Sequence, residues 1–153
     1  MHSVVAGVFA AALWAGGGQT AAAVPTPAEL LGIWRGTSTC TDRTAAPACT
    51  DEIAVYEFSA GAKPGAVHWQ ADKMVNGRRE PMGEMEMTYD TTAACWKTEI
   101  AGPRLSSVWC LSVHGTHLTG TAMLLPGKQT IRKIDLTRSP ERPPDRDSPR
   151  SPR

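Results

Sequence analysis

The chain lacks an excess of charge of either sign. Its 16 lysines and arginines stand against 15 aspartates and glutamates, which excludes a broad basic surface for nucleic acid. Long hydrophobic runs are missing too. The longest uncharged apolar stretch, residues 4–14, falls well short of the ~20 residues a membrane-spanning helix needs. Phenylalanine and tyrosine are scarce, at two each, so most of the large rings are those of the five tryptophans. No G-x-S-x-G, H-E-x-x-H or phosphate-binding glycine loop occurs, and the expectation is a protein that is not an enzyme. The four cysteines lack a C-x-x-C pair, the spacing that tetrahedral zinc sites favour. After Leu31 no segment repeats its apolar residues with a helical period, which excludes a helix-rich fold.

What is present divides the chain into three parts. The apolar run 4–14 is followed by Gly16-Gly17-Gly18 and Ala21-Ala22-Ala23. An apolar centre ending in small residues reads as a signal peptide over 1–23, cleaved before Val24, although Met1-His2-Ser3 carries no basic residue. Residues 139–153 are rich in proline and charge and hold no large apolar side chain, so a disordered tail is expected there. Between them, 24–138 forms one domain of modest core. The expected location is secreted or periplasmic, with no transmembrane segment after cleavage.

An even number of cysteines in an exported chain implies disulfides. Residues 95–101 and 106–114 read as strands separated by Gly102-Pro103. Proline cannot take the second place of a tight type I′ turn, which favours a four-residue loop over 101–104. That register sets Cys95 opposite Cys110 in a non-hydrogen-bonded pair, where Cβ atoms come closest. Cys95–Cys110 and Cys40–Cys49 are therefore the expected bridges. The same register sets Trp96 opposite Trp109 on the other face, so the rings point inward and the disulfide outward.

Further strands are expected near 32–40, 51–59, 66–75, 82–89, 117–125 and 129–138, divided by turn residues such as Asn76-Gly77 and Pro126-Gly127. Short loops force neighbouring strands to be antiparallel. The expected fold is all-β: an eight-stranded antiparallel up-and-down barrel with two disulfides, with a β-sandwich as the alternative. Alternation points to a core of Trp34, Val67, Trp69, Trp96, Trp109, Leu111, Val113, Leu118 and Leu124. In the second strand either Ile53 and Val55 or Tyr56 and Phe58 face inward.

Gly32-Ile33-Trp34, following the short helical turn expected at Pro27-Ala28-Glu29-Leu30-Leu31, resembles the G-x-W signature that opens the first strand of lipocalins and related calycin barrels. The resemblance implies structural roles for Gly32 and Trp34. It also implies an arginine of the last strand packed over the tryptophan at the closed end, with Arg132 the first match and Arg138 the second. The chain is similar as well to compact calycins that include periplasmic metalloprotease inhibitors. Their inhibitory segment precedes the barrel and corresponds here to residues 24–29.

Three functions remain open at this point. An exported lipocalin-like binding module would hold a small apolar or amphipathic ligand, with Trp69, Trp96, Trp109, Glu57 and Arg132 as the candidate binding residues. Glu57, on the face of Ile53 and Val55, is a candidate inward carboxylate paired with Arg132. An envelope-protein partner or protease inhibition is the second reading. Copper binding is the third: Met82, Met85 and Met87 are soft donors that could meet His68, His114 or His117, although Met85 and Met87 share a face and methionine ordinarily fills cores. His68, Gln70 and Asp72 alternate with Trp69 and are expected to face water. No cofactor is implied.

Overall fold

A computed structural model describes residues 24–102 and 106–140. The expected signal peptide at 1–23 and residues 141–153 of the expected tail lie outside the described residues. Among those described, one helical turn, α1 (Pro27–Leu30), precedes eight strands: β1 (Gly32–Cys40), β2 (Glu52–Ala60), β3 (Val67–Val75), β4 (Arg78–Asp90), β5 (Cys95–Ala101), β6 (Ser106–His114), β7 (His117–Leu125) and β8 (Gln129–Arg138). Each strand pairs with its sequence neighbours and β1 pairs with β8, all antiparallel, so the sheet closes into an up-and-down barrel. Closure rather than a two-sheet sandwich leaves no terminal edge strand.

Alternation along the strands builds the core. Tyr56 and Phe58, rather than Ile53 and Val55, face inward with Trp34, Trp69, Trp96, Leu111, Leu118 and Leu136. Trp34, Trp69 and Trp96 are at most 1% exposed. Each such ring removes about 150–250 Å² from water, worth roughly 4–6 kcal/mol as an upper bound. Trp109 and Val113 pack against this cluster while partly buried, and Leu124 stays outside it.

One end of the barrel is plugged by α1. Glu29 Oε1 accepts from the Thr26 N–H at 3.0 Å, which secures the start of the turn. Leu30 drops fully into the core, and Trp34 Nε1 donates to the Leu30 carbonyl at 2.8 Å. The cation over Trp34 is Arg138, 4.2 Å from the ring centroid, and it also donates to the carbonyls of Leu31 and Glu29. This corrects the first expectation, Arg132. Both arginines point inward from β8, but the register sets Arg138 opposite Trp34 and carries Arg132 to the other end, opposite Cys40. Gly32 opens β1 with φ +117°, a backbone that side-chain-bearing residues rarely adopt.

Two further expectations shift. β4 begins at Arg78 rather than near 82, because a register shift between Ala71 and Asp72 accommodates Met82 beside Pro81, and proline is tolerated at such bulges. In the β5–β6 hairpin Ala101 closes on Ser106, which sets Lys97, not Cys95, opposite Cys110. The turn has moved by one residue, the register by two, and every side chain keeps its face. Cys95 and Cys110 are therefore diagonal neighbours, with Cα atoms 5.5 Å apart, and still bond. Cys40–Cys49 forms as expected, at 6.0 Å. Trp96 lies opposite Leu111 and Trp109 opposite Thr98.

Candidate functional site

The end of the barrel away from α1 carries a cavity of about 180 Å³, lined by Glu52, Tyr56, Trp69, Ala71, Met82, Met85, Ile100, Trp109 and Arg132. Six strands contribute, because each places alternate residues on the inner face. Small inward residues leave the room: Ala71 opposite Tyr56, Gly83 opposite Ala71, and Ala122 opposite Trp109. On one flank β4 and β5 pair only over Thr88–Lys97, Tyr89–Trp96 and Asp90–Cys95. Past these pairs the strands diverge, and Met85 and Ile100 line the cavity from either side of the gap.

The rings form one cluster. Trp69 meets Tyr56 edge-on at 4.8 Å and Trp109 edge-on at 5.3 Å between centroids, and stacks on Phe58 at 6.1 Å. Burial pushes the Tyr56 phenol up to about 12, although its contact with Ser38 works the other way. Trp109 Nε1 donates to Ser107 Oγ at 3.1 Å. Trp69 Nε1 is buried with no hydrogen-bond partner, the one such side-chain nitrogen or oxygen among the described residues. A buried unpaired donor costs about 1–3 kcal/mol, and neighbouring π faces repay little of it.

Polar groups form one wall. Arg132 Nη1 donates to Ser38 Oγ at 2.7 Å, Glu52 Oε2 at 2.9 Å and the Ser38 carbonyl at 3.1 Å. Its Nη2 donates to the Thr50 carbonyl at 2.9 Å and lies 3.3 Å from Cys49 Sγ. The Cys40–Cys49 bridge thus holds the segment that satisfies the arginine. Glu52, missed by sequence reasoning, is the carboxylate that neutralises this cation; it stands opposite Ser38 on the inner face of β2. The signal available was parity with Tyr56.

Of the candidate binding residues, Trp69, Trp109 and Arg132 come together around this cavity. Trp96 does not; it is buried beside Tyr89 at 5.5 Å. Glu57 lies on the outer face, paired with Arg79 at 3.2 Å instead of Arg132. Arg79 also holds Asp72 at 2.7 Å, so Glu57 belongs to an outer ion cluster. The inner and outer faces of β2 separate Glu57 from Arg132 through the same alternation that turned Tyr56 inward.

The histidines and methionines do not converge. His68 faces outward between Glu84 and Glu86, at 3.7 and 3.4 Å. Met85 and Met87 stand opposite Trp69 and Val67 on the inner face. His114 and His117 are exposed, paired with each other at the β6–β7 turn. Among the described residues no group of three histidine, cysteine or acidic side chains is placed to hold a metal ion. No described helix is long and apolar enough to cross a membrane. Compared with known proteins, the chain matches no protein-family model, no curated protein and no solved structure.

Proposed function

We propose that this is an exported, lipocalin-like binding module that holds a small, largely apolar ligand at the end of the barrel opposite α1. The observation that carries the reading is the cavity itself, walled by Tyr56, Trp69, Trp109, Met82, Met85 and Ile100, with the Glu52–Arg132 pair at its side. Concave apolar sites with a few fixed polar groups are the usual form of ligand pockets. Two disulfides suit an oxidising compartment, and the small-residue stretch ending at Ala23 supports export. Native mass spectrometry of the oxidised protein, isolated from the compartment it is exported to, tests the reading. A bound small molecule released on denaturation is the expected result. A ligand-free mass, together with no cavity shifts on titration with small aromatic compounds, refutes it.

A protein partner is the second reading, favoured by the short β4–β5 ladder. Strands that diverge leave backbone donors and acceptors for an added strand. The segment ahead of the barrel supports inhibition poorly, since α1 and Leu30 are committed to closing the core. Protection of residues 84–87 and 98–101 from hydrogen exchange on adding envelope extract would favour this reading over a small ligand.

A further inference from the structure

The unpartnered indole donor, the balanced charge of the polar wall and the size of the cavity together specify a ligand class. We infer that the cavity selects a compact, uncharged, single-ring molecule carrying one hydrogen-bond acceptor, and that this acceptor takes the Nε1–H of Trp69. The inference rests on the ligand-binding reading above and narrows it.

Size comes first. A cavity of about 180 Å³ has the liquid volume of about six waters, and an apolar cavity of about 150 Å³ suffices for benzene. One ring with a short substituent fills it; a fatty acyl chain or a multi-ring cofactor would leave most of its apolar surface outside.

Charge comes second. The Arg132 guanidinium already has Glu52 Oε2 within 2.9 Å, and its two terminal nitrogens also donate to Ser38 and Thr50. An anionic ligand would have to displace Glu52, and a cationic one Arg132. Either exchange leaves a charge uncompensated in a largely buried site.

The acceptor comes third. Trp34 Nε1 donates to the Leu30 carbonyl and Trp109 Nε1 to Ser107 Oγ. Trp69 is 1% exposed and is one of the residues that line the cavity; its Nε1 is covered and has no acceptor, so a ligand reaches it only once a neighbouring side chain moves. A site holding an unpaired buried donor discriminates strongly in favour of a molecule that pairs it. Met85 stands directly opposite Trp69 in the β3–β4 ladder. Its unbranched thioether can swing aside as the acceptor approaches, toward the gap where β4 leaves β5.

The test uses the oxidised protein and three probes of one size. Acetophenone carries a carbonyl; α-methylstyrene has the same outline without the oxygen; benzoate replaces neutrality with an anion. Affinities come from NMR titration, with the Trp69 indole N–H resonance as reporter. The expected result is that acetophenone binds at least tenfold more tightly than either other probe and moves the Trp69 N–H downfield. In Trp69→Phe the advantage over α-methylstyrene should vanish. If that variant fails to fold, the Trp69 N–H shift in the unaltered protein decides.

Equal binding of acetophenone and α-methylstyrene, with the Trp69 resonance unmoved, overturns the acceptor assignment while ligand binding stands. Equal or tighter binding of benzoate overturns the requirement for neutrality. If no probe perturbs cavity resonances at millimolar concentration, the single-ring inference fails; the ligand-binding reading falls with it only where the native mass is ligand-free as well.

Discussion

Arg132 and Arg138 share one face of β8 and have opposite surroundings. Arg138 spreads over Trp34 and donates to the last carbonyls of the α1 segment. Arg138→Ala should cost about 2–3 kcal/mol, the sum of a desolvated cation–π contact and lost hydrogen bonds, measured by urea unfolding. Arg132→Ala should cost more, about 3–5 kcal/mol, because Glu52 is left without its cation in a site that is 14% exposed. Arg132→Met combined with Glu52→Gln should recover much of that loss; a double variant no more stable than Arg132→Ala would refute the pairing. Tyr56 supplies a pH signature. Its phenol is raised from 10.0 to about 12 by burial, so the neutral form is favoured in the folded protein. The stability this contributes is present below pH 10 and is lost as pH rises toward 12. A Tyr56→Phe variant should show a flatter fall over that window in alkaline unfolding curves.

At the scale of elements, the β4–β5 connection is the weak join of the barrel, with three paired positions. Asp90 secures it. One carboxylate oxygen accepts from the backbone N–H groups of Thr92 and Ala93, both at 2.9 Å, and the other from Lys97 Nζ at 3.2 Å. The Ala93 N–H, and then Lys97, hold its carboxyl below the ordinary 3.8. A lowered carboxylate contributes stability above that value, and the contribution disappears as pH falls through the folded pKa. Asp90→Asn should therefore lower the midpoint of urea unfolding at pH 7 and lower it less near pH 2. An equal loss at both pH values would show that charge is not what Asp90 supplies. The disulfides act on longer segments. Cys95→Ala with Cys110→Ala opens a link of sequence separation 15 and should cost about 3 kcal/mol on chain-entropy grounds. The β5–β6 register should survive, since six cross-strand pairs define it.

For the molecule as a whole, the two ends of the barrel have different tasks. The α1 end is sealed by Leu30, Trp34 and Arg138. The other end keeps a cavity and is tied by the Cys40–Cys49 bridge, whose segment offers the Thr50 carbonyl to Arg132. Hydrogen exchange should reflect this division. Backbone amides of β1 and β8 near Trp34 should exchange slowest. Those of residues 84–87 and 98–101 that point into the β4–β5 gap should exchange fastest among the strands. Uniform protection around the barrel would contradict the open seam. Cys40→Ala with Cys49→Ala should weaken any small-molecule binding more than it weakens unfolding resistance, because it loosens the wall of the cavity.

Fold class, strand order and both disulfide pairs were legible from local signals: turn residues, alternation and the parity of cysteines within a hairpin. Parity also placed Trp69 and Trp109 inward and left His68 outside. What parity cannot express is position along the barrel axis, because every second residue of a strand shares a face. Arg132 and Arg138 are indistinguishable by that rule; only the β1–β8 register assigns one to Trp34 and the other to Glu52 and Ser38. The β5–β6 turn slid by one residue for the same reason, since a two-residue change of register preserves every face. The choice between Tyr56 and Val55 as the inward set, which moved Glu57 outside and brought Glu52 in, required the competing bulk of the other strands. Sequence alone thus determined an all-β antiparallel succession of strands with inward tryptophans and an outward disulfide at β5–β6, and left barrel and sandwich both open until the β1–β8 pairing closed the sheet. Tertiary structure alone decided which inward residues meet at which end, because closure of the barrel, and not any local pattern, sets the relative height of its strands.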